Sequence, residues 1–200
     1  MELIVATHNK GKLREFGRIL EPLGIRVRSE EEVCPGLEVE ETGATFAQNA
    51  YLKAKALYDA TGLATVADDS GLCVDALGGA PGVYSARYAG ENATDAQRVE
   101  KLLGELKDVP DGQRTARFVS AICCILPGGE TIQCEGTCEG TIGWEPKGED
   151  GFGYDPVFVR DGKTYSQMTG AEKDAVSHRG AALRLLYDQL NRRLNGIADQ

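Results

Sequence analysis

The chain has 200 residues, 42% of them hydrophobic and 26% charged, and a net charge of −9. That length suits one domain, residues 1–200, with a large core. The acidic balance excludes a general nucleic-acid binder, whose affinity rests on Lys and Arg against phosphate, and no apolar run approaches the ~18 residues of a membrane helix.

Met1-Glu2-Leu3-Ile4-Val5 has no basic segment ahead of its apolar residues, so it reads as a strand rather than an export signal and the expected location is cytoplasmic. Residues Glu2 to Thr7 form that first strand, a continuous apolar run suited to a sheet covered on both faces. A polar loop follows, then Leu13, Phe16, Leu20 and Leu23 recur at helical spacing until Gly24. Ile25 to Arg28 suggests a second strand, and the acidic stretch 29–41, with Pro35 and Gly36, reads as a loop. Thr45-Phe46-Ala47-Gln48 is a capping box opening a helix that runs to Thr61, with Gly62 as its stop.

Leu63 to Ala67 predicts a buried strand that ends at Asp68-Asp69, with Leu72 to Leu77 a separate strand. Gly78-Gly79-Ala80-Pro81-Gly82 is a rigid loop leading into Tyr84-Ser85-Ala86-Arg87-Tyr88. A second capping box, Thr94 to Gln97, starts a helix with Val99, Leu102, Leu103 and Leu106 on one face, and Pro110-Asp111-Gly112 breaks it. Arg117 to Leu126 and Thr131 to Trp144 predict a hairpin about Pro127-Gly128-Gly129. The doubled Glu-Gly-Thr at 135–137 and 139–141 is too short to mark a repeat architecture. After the glycine-rich loop 148–153, Pro156 to Val159 suggests a short strand. Thr169 to Glu172 is a third capping box, and a last helix carries Leu183, Leu186, Leu190 and Leu194. The pattern begins α/β and then turns antiparallel, which implies an α/β fold with a long mixed β-sheet flanked by helices. Of the six cysteines none forms Cys-x-x-Cys and none has a His nearby in sequence, so the expectation is reduced thiols in apolar space and no zinc. Cys123 and Cys124 would face opposite sides of a strand.

Five constellations carry possible chemistry. Paired carboxylates at a strand end, Asp68-Asp69 followed by Ser70-Gly71, suit either a hard cation with an activated water or a plain Asp turn. Glu41 could reach the same cation, and Asn49 and Lys53 stand at i and i+4 on one helix face; the alternative is an acidic approach that favours a helix dipole. The strand–loop–helix junction Thr7-His8-Asn9-Lys10-Gly11-Lys12 suits phosphate at a helix N-terminus, or is a basic surface loop; it is not a Walker A loop, since Ala6 and Leu13 stand at its required Gly and Ser/Thr positions. Gly151-Phe152-Gly153-Tyr154-Asp155-Pro156 lets backbone approach a ligand and offers Phe152 as a flat face, or is a turn plugging the core. Lys173 with Ser177-His178-Arg179-Gly180 offers a cation, an imidazole and a planar donor fork, or a capped helix start. Together they provide what a nucleoside polyphosphate needs: a cation site, positive side chains and a flat apolar surface.

With those residues in place, the sequence resembles the inosine triphosphate pyrophosphatase family over nearly its whole length. The matching blocks are 7–12, Glu41-Thr42-Gly43-Ala44-Thr45-Phe46 with Asn49-Ala50 and Lys53-Ala54, Ala67 to Leu72, Val74 to Gly79 with Pro81-Gly82, Tyr84 to Tyr88, Gly151 to Pro156, and Glu172-Lys173 with Ser177 to Gly180. The resemblance implies two lobes with a central substrate cleft, usually a homodimer, and Mg²⁺-dependent hydrolysis of ITP, dITP and XTP to the monophosphate and pyrophosphate. It implies Asp69 as the base or water-positioning acid, and Glu41, Asp69 and Asp68 about Mg²⁺. Thr7, His8, Asn9, Lys10, Gly11, Lys12, Lys53, Ser70 and Lys173 would hold the triphosphate. Phe152 would stack on the base with Gly153, Tyr154 and Asp155 beside it, and His178 and Arg179 would favour a 6-keto group. Rival readings are a pyrophosphatase for other altered nucleotides, pyrimidines included, and a nucleotide sensor without turnover; bare carboxylates facing phosphate disfavour the sensor.

Overall fold

The computed structural model describes residues 1–194, with side chains through Arg193. Its elements are β1 (Glu2–Ala6), α1 (Lys10–Leu20), β2 (Arg26–Ser29), α2 (Glu30–Val33), α3 (Phe46–Thr61), β3 (Thr65–Val74), α4 (Asp95–Glu105), β4 (Thr115–Ile125), β5 (Thr131–Ile142), β6 (Phe158–Arg160), β7 (Lys163–Thr164), α5 (Gly170–Val176) and α6 (His178–Leu194). The seven strands form one sheet in the order β2-β1-β3-β4-β5-β6-β7. β1 pairs parallel with β2 and β3, whereas β5/β6 and β6/β7 are antiparallel. The sheet is therefore mixed, as expected.

The chain divides into two compact units: Met1–Asp69 with Ser120–Gly136 and the segment from His178 onward, and Ser70–Val119 with Thr137–Ser177. In the first, alternation along β1 sends Leu3 and Val5 into a core with Phe16 and Leu20 of α1 and Leu183, Leu186 and Leu190 of α6. Ile4 and Ala6 go to the opposite face, against Ala50, Ala54 and Leu57 of α3. Burial on both faces explains why β1 reads as an unbroken apolar run. Cys124 belongs to the first of these cores and Cys123 to the second, the opposite-face arrangement expected of neighbours in a strand. None of the six cysteines, all among the described residues, is in a disulfide. Leu194 lies outside the residues whose side chains are described. The second unit has its own core, in which Phe118, Phe158 and Tyr165 pack ring to ring with Leu72, Val74, Val99 and Leu102.

Local signals explain most boundaries. Thr94 and Thr169 close reciprocal capping boxes with Gln97 and Glu172. Thr45 caps α3 by accepting from the Gln48 amide, but the Gln48 side chain reaches Ala44 N–H rather than Thr45 N–H. α1 closes at Leu20 and a 3₁₀ turn carries the chain through Leu23 to Gly24, whose φ of +81° favours glycine.

Two expectations are corrected. The stretch 29–41 is not all loop: Ser29 and Glu32 form a capping box that starts the short α2. Asp68 and Asp69 do not end a strand. β3 is a single strand of ten residues that continues through Ser70 and Gly71 to Val74. Its partner β1 stops instead, with Ala6 opposite Ala67. The short β7 was not foreseen, since two residues carry no periodicity.

Candidate active site

The alternation that sorts the core also sorts the two acids. Val66 faces the α1/α6 core and Ala67 the α3 core. Asp68 and Asp69 continue that alternation, one to each face, just past the end of β1. They are therefore two separate sites.

Asp68 faces α1 and α6. Its carboxylate accepts from the Ser120 hydroxyl, lies 2.8 Å from Lys12 Nζ and accepts from Arg179 at 3.0 Å. The other arm of Arg179 donates to Glu15 on α1. Asp68, Glu15 and Arg179 are all buried. Burial alone would raise the Asp68 pKa, but the Arg179 and Lys12 charges outweigh it and hold the carboxyl well below the usual range. Burial pulls Lys12 down, and Asp68 offsets only part of that. For Arg179 the balance is reversed: Asp68 and Glu15 outweigh burial and the guanidinium stays charged.

Asp69 faces α3. Lys53 Nζ donates to Glu41 Oε1 at 2.8 Å, to the Asp68 carbonyl at 3.0 Å and to Asp69 Oδ1 at 3.3 Å. Asp69 Oδ2 is buried and has no hydrogen-bond partner among the described residues. Burial raises the Asp69 pKa, Glu41 and Asp68 add to that, and Lys53 and Lys12 oppose it without cancelling it. Burial works against the Lys53 ammonium, yet Asp69 and Glu41 leave its pKa raised.

Two carboxylates about one cation, with an acceptor oxygen still to be satisfied, fit a hard divalent ion that takes its other ligands from water and phosphate. Among the described residues no group of three or more Asp, Glu, His or Cys forms a ready metal cage. Glu41 and Asp69 are thus the pair that would hold such an ion.

The loop between β1 and α1 is organised by Asn9. Its side chain accepts from Gly11 N at 2.8 Å and Lys12 N at 3.1 Å, and its own N–H donates to Thr7. His8 turns toward the acidic segment, 3.2 Å from the Leu37 carbonyl and 3.2 Å from Glu30. Lys10 is exposed.

In the second unit, Asp155 is the organiser. Its Oδ2 accepts from Phe152 N at 3.0 Å and from the buried Lys173 Nζ at 2.5 Å. The ammonium lies 4.7 Å from the Phe152 ring centre and 5.4 Å from that of Tyr165, within cation–π range. Gly151 is required there, since its φ is +87° and a Cβ would come within 2.2 Å of Asp155 Oδ2. Gly153 N donates to Asp95. Tyr154 is buried and donates to the Ser85 carbonyl at 2.8 Å, so its hydroxyl ties two loops together. Ser70 is half-buried.

Glu15, Ser120 and Gly136 escaped the sequence reading. Ser120 left one signal, a lone hydroxyl inside the apolar run of β4. Gly136 is the seat of α6: a Cβ there would lie 2.3 Å from the His178 carbonyl oxygen and 2.5 Å from Ala182 N. Gly140, four residues on, meets Val159 O at 2.5 Å in the other unit. Gly136→Ala is expected to displace His178 and Arg179 and to lower kcat/KM at least tenfold, as small misplacements in an active site do. Gly140→Ala carries a similar clash and should leave kcat/KM per folded molecule within about twofold. Steady-state kinetics on the folded fraction of each variant checks the contrast.

The profile of the Ham1 family matches residues 3–189. The chain belongs to that family. It is 53% identical to a Bacillus subtilis (strain 168) protein named dITP/XTP pyrophosphatase, with 92% of this chain and 94% of that one covered. The structure of the Staphylococcus aureus Ham1 protein superimposes with a TM-score of 0.85 at 42% identity, covering 96% of this chain and 100% of that one. That of a Mycobacterium abscessus protein described as a nucleoside-triphosphatase / dITP/XTP pyrophosphatase gives 0.73 at 49% identity, with coverage of 93% and 98%. No helix among the described residues is long and apolar enough to cross a membrane.

Proposed function

We propose that this Ham1 chain hydrolyses non-standard purine nucleoside triphosphates (ITP, dITP and XTP) to the monophosphate and pyrophosphate, keeping them out of DNA and RNA. The observation that carries the reading is the Asp69 carboxylate, buried, raised in pKa and satisfied on one oxygen only. A buried carboxylate with one oxygen still to be satisfied can accept a proton from water. The names borne by relatives about half identical in sequence support the substrate class.

In this reading the Asp69 carboxylate takes the proton of the attacking water. The water oxygen bonds to phosphorus at the α–β anhydride, the bridging P–O bond breaks, and pyrophosphate leaves with the electron pair. Mg²⁺, when bound by Glu41 and Asp69, would polarise the phosphate oxygens. Lys53 sits on both carboxylates and supplies a fixed positive charge. Asp68, whose carboxylate is committed to Ser120, Lys12 and Arg179, is assigned to holding α1 and α6 in place rather than to the metal. Lys12 and the rest of the 7–12 loop, with Ser70 and Lys173, are assigned to the triphosphate. Phe152 is assigned to the base, in a loop held by Gly153, Tyr154 and Asp155, and His178 and Arg179 to its 6-keto group. Adenine, with an amino donor at that position, would leave such donors unpaired, the kind of mismatch that discriminates strongly. The enzyme is taken to work as a cytoplasmic homodimer on free nucleotides, not on nucleic acid or membranes.

A pyrophosphate-release screen tests this. ITP, dITP and XTP should turn over at least 10²-fold faster than ATP, dTTP and UTP, and only with Mg²⁺. Equal rates on dTTP, UTP and ITP would replace the purine reading with a broader one.

A further inference from the structure

The segment that carries Glu41 is fastened to the helix that carries Lys53. Two side chains from the first turn of α3 reach back over it: Asn49 Oδ1 accepts from Gly43 N at 2.7 Å, and Gln48 Oε1 accepts from Ala44 N at 2.7 Å. Gly43 lies so close that a Cβ would come within 2.6 Å of Asn49 Oδ1 and 2.7 Å of Gln48 Cβ. Two residues earlier Glu41 meets Lys53, one turn beyond Asn49 on the same helix. Segment 41–44 is therefore tied to α3 at both ends.

Asn49 is an odd choice for stability alone. It is 1% exposed, and its Nδ2 has no partner among the described residues. An apolar side chain would avoid burying an unmet donor. The Gly43 N–H bond fixes which way the amide points, since the opposite orientation would set NH₂ against N–H.

We infer that Gln48 and Asn49 are positioning residues that set divalent-cation affinity by holding Glu41 in place opposite Asp69. The inference rests on the reading of Glu41 and Asp69 as the cation pair. A carboxylate on an untethered loop must be ordered each time a cation binds, whereas a clamped one is ordered in advance.

Calorimetric titration of Mg²⁺ into enzyme saturated with the α,β-imido analogue of ITP reads the affinity without turnover. Gln48→Ala is expected to weaken Mg²⁺ binding about threefold to tenfold and Asn49→Ala about tenfold, the worth of a net hydrogen bond. Gln48→Glu keeps an acceptor for Ala44 N on an exposed side chain, so it should bind within about twofold of wild type. Kcat at saturating Mg²⁺ should stay within about twofold in Gln48→Ala, since Asp69 and Lys53 are untouched. If Asn49→Ala fails to fold, the two Gln48 variants decide. Unchanged Mg²⁺ affinity in Gln48→Ala, or Gln48→Glu as weak as Gln48→Ala, would overturn the clamp. A wild type that binds no Mg²⁺ would overturn the metal reading itself, and the clamp's role with it.

Discussion

Asp69→Asn is expected to lower kcat by about 10³-fold while nucleotide affinity changes by less than about threefold, the signature of a lost general base. The amide keeps the shape of the carboxylate and an oxygen toward Lys53, but it takes no proton. Single-turnover kinetics with an equilibrium binding measurement separates the two effects. The same carboxylate shapes the pH profile. Burial, Glu41 and Asp68 raise its pKa above the usual 3.8, so the base is lost by protonation at a higher pH than an exposed Asp would be. The acid limb of kcat/KM should therefore lie above the ordinary Asp range. Wild-type turnover in Asp69→Asn would remove this residue from the mechanism.

Arg179→Ala is expected to be the costliest single change for stability. It leaves Asp68 and Glu15 buried without their shared cation, a situation that typically costs about 3–5 kcal/mol. Urea unfolding checks it, and adding Glu15→Gln to Arg179→Ala should recover part of the loss. The sign of the pH dependence follows from Asp68. Its folded pKa is depressed, so its contribution is present above 3.8, the unfolded value, and is lost as pH falls through the lower folded value. Wild type should lose stability over that acid range, and Arg179→Ala should lose less there because less of the depression remains. Where enough of the variant folds, its preference for ITP over ATP should shrink. A variant as stable as wild type would mean that the buried network contributes little.

Much of this was legible in the sequence because it rests on short-range rules. Three Thr-x-x-Gln/Glu boxes marked helix starts, and Gly24 and Gly62 marked helix ends. The unbroken run Leu3-Ile4-Val5 announced a strand covered on both faces. Asp68 and Asp69 stood out as paired acids. What stayed hidden depends on partners far along the chain. Nothing near Asp68 shows that β3 continues past it, because the break belongs to β1, which stops at Ala6. Glu15 and Arg179 are 164 residues apart and meet only when α1 packs on α6. Ser120 looked like one polar residue in an apolar strand, and its meaning appears only with Asp68 beside it. Gly136 lay in a doubled Glu-Gly-Thr whose spacing suggested nothing until the backbone of α6 was found against it.

The central claim is hydrolysis at the α–β anhydride of a non-standard purine nucleotide, with Asp69 as base. Phosphorus NMR of dITP incubated with the enzyme and Mg²⁺ tests it most directly. The expected products are dIMP and pyrophosphate in equal amounts, with neither formed by Asp69→Asn on the same timescale. Orthophosphate with dIDP, or dITP unchanged with the wild-type enzyme, would contradict it.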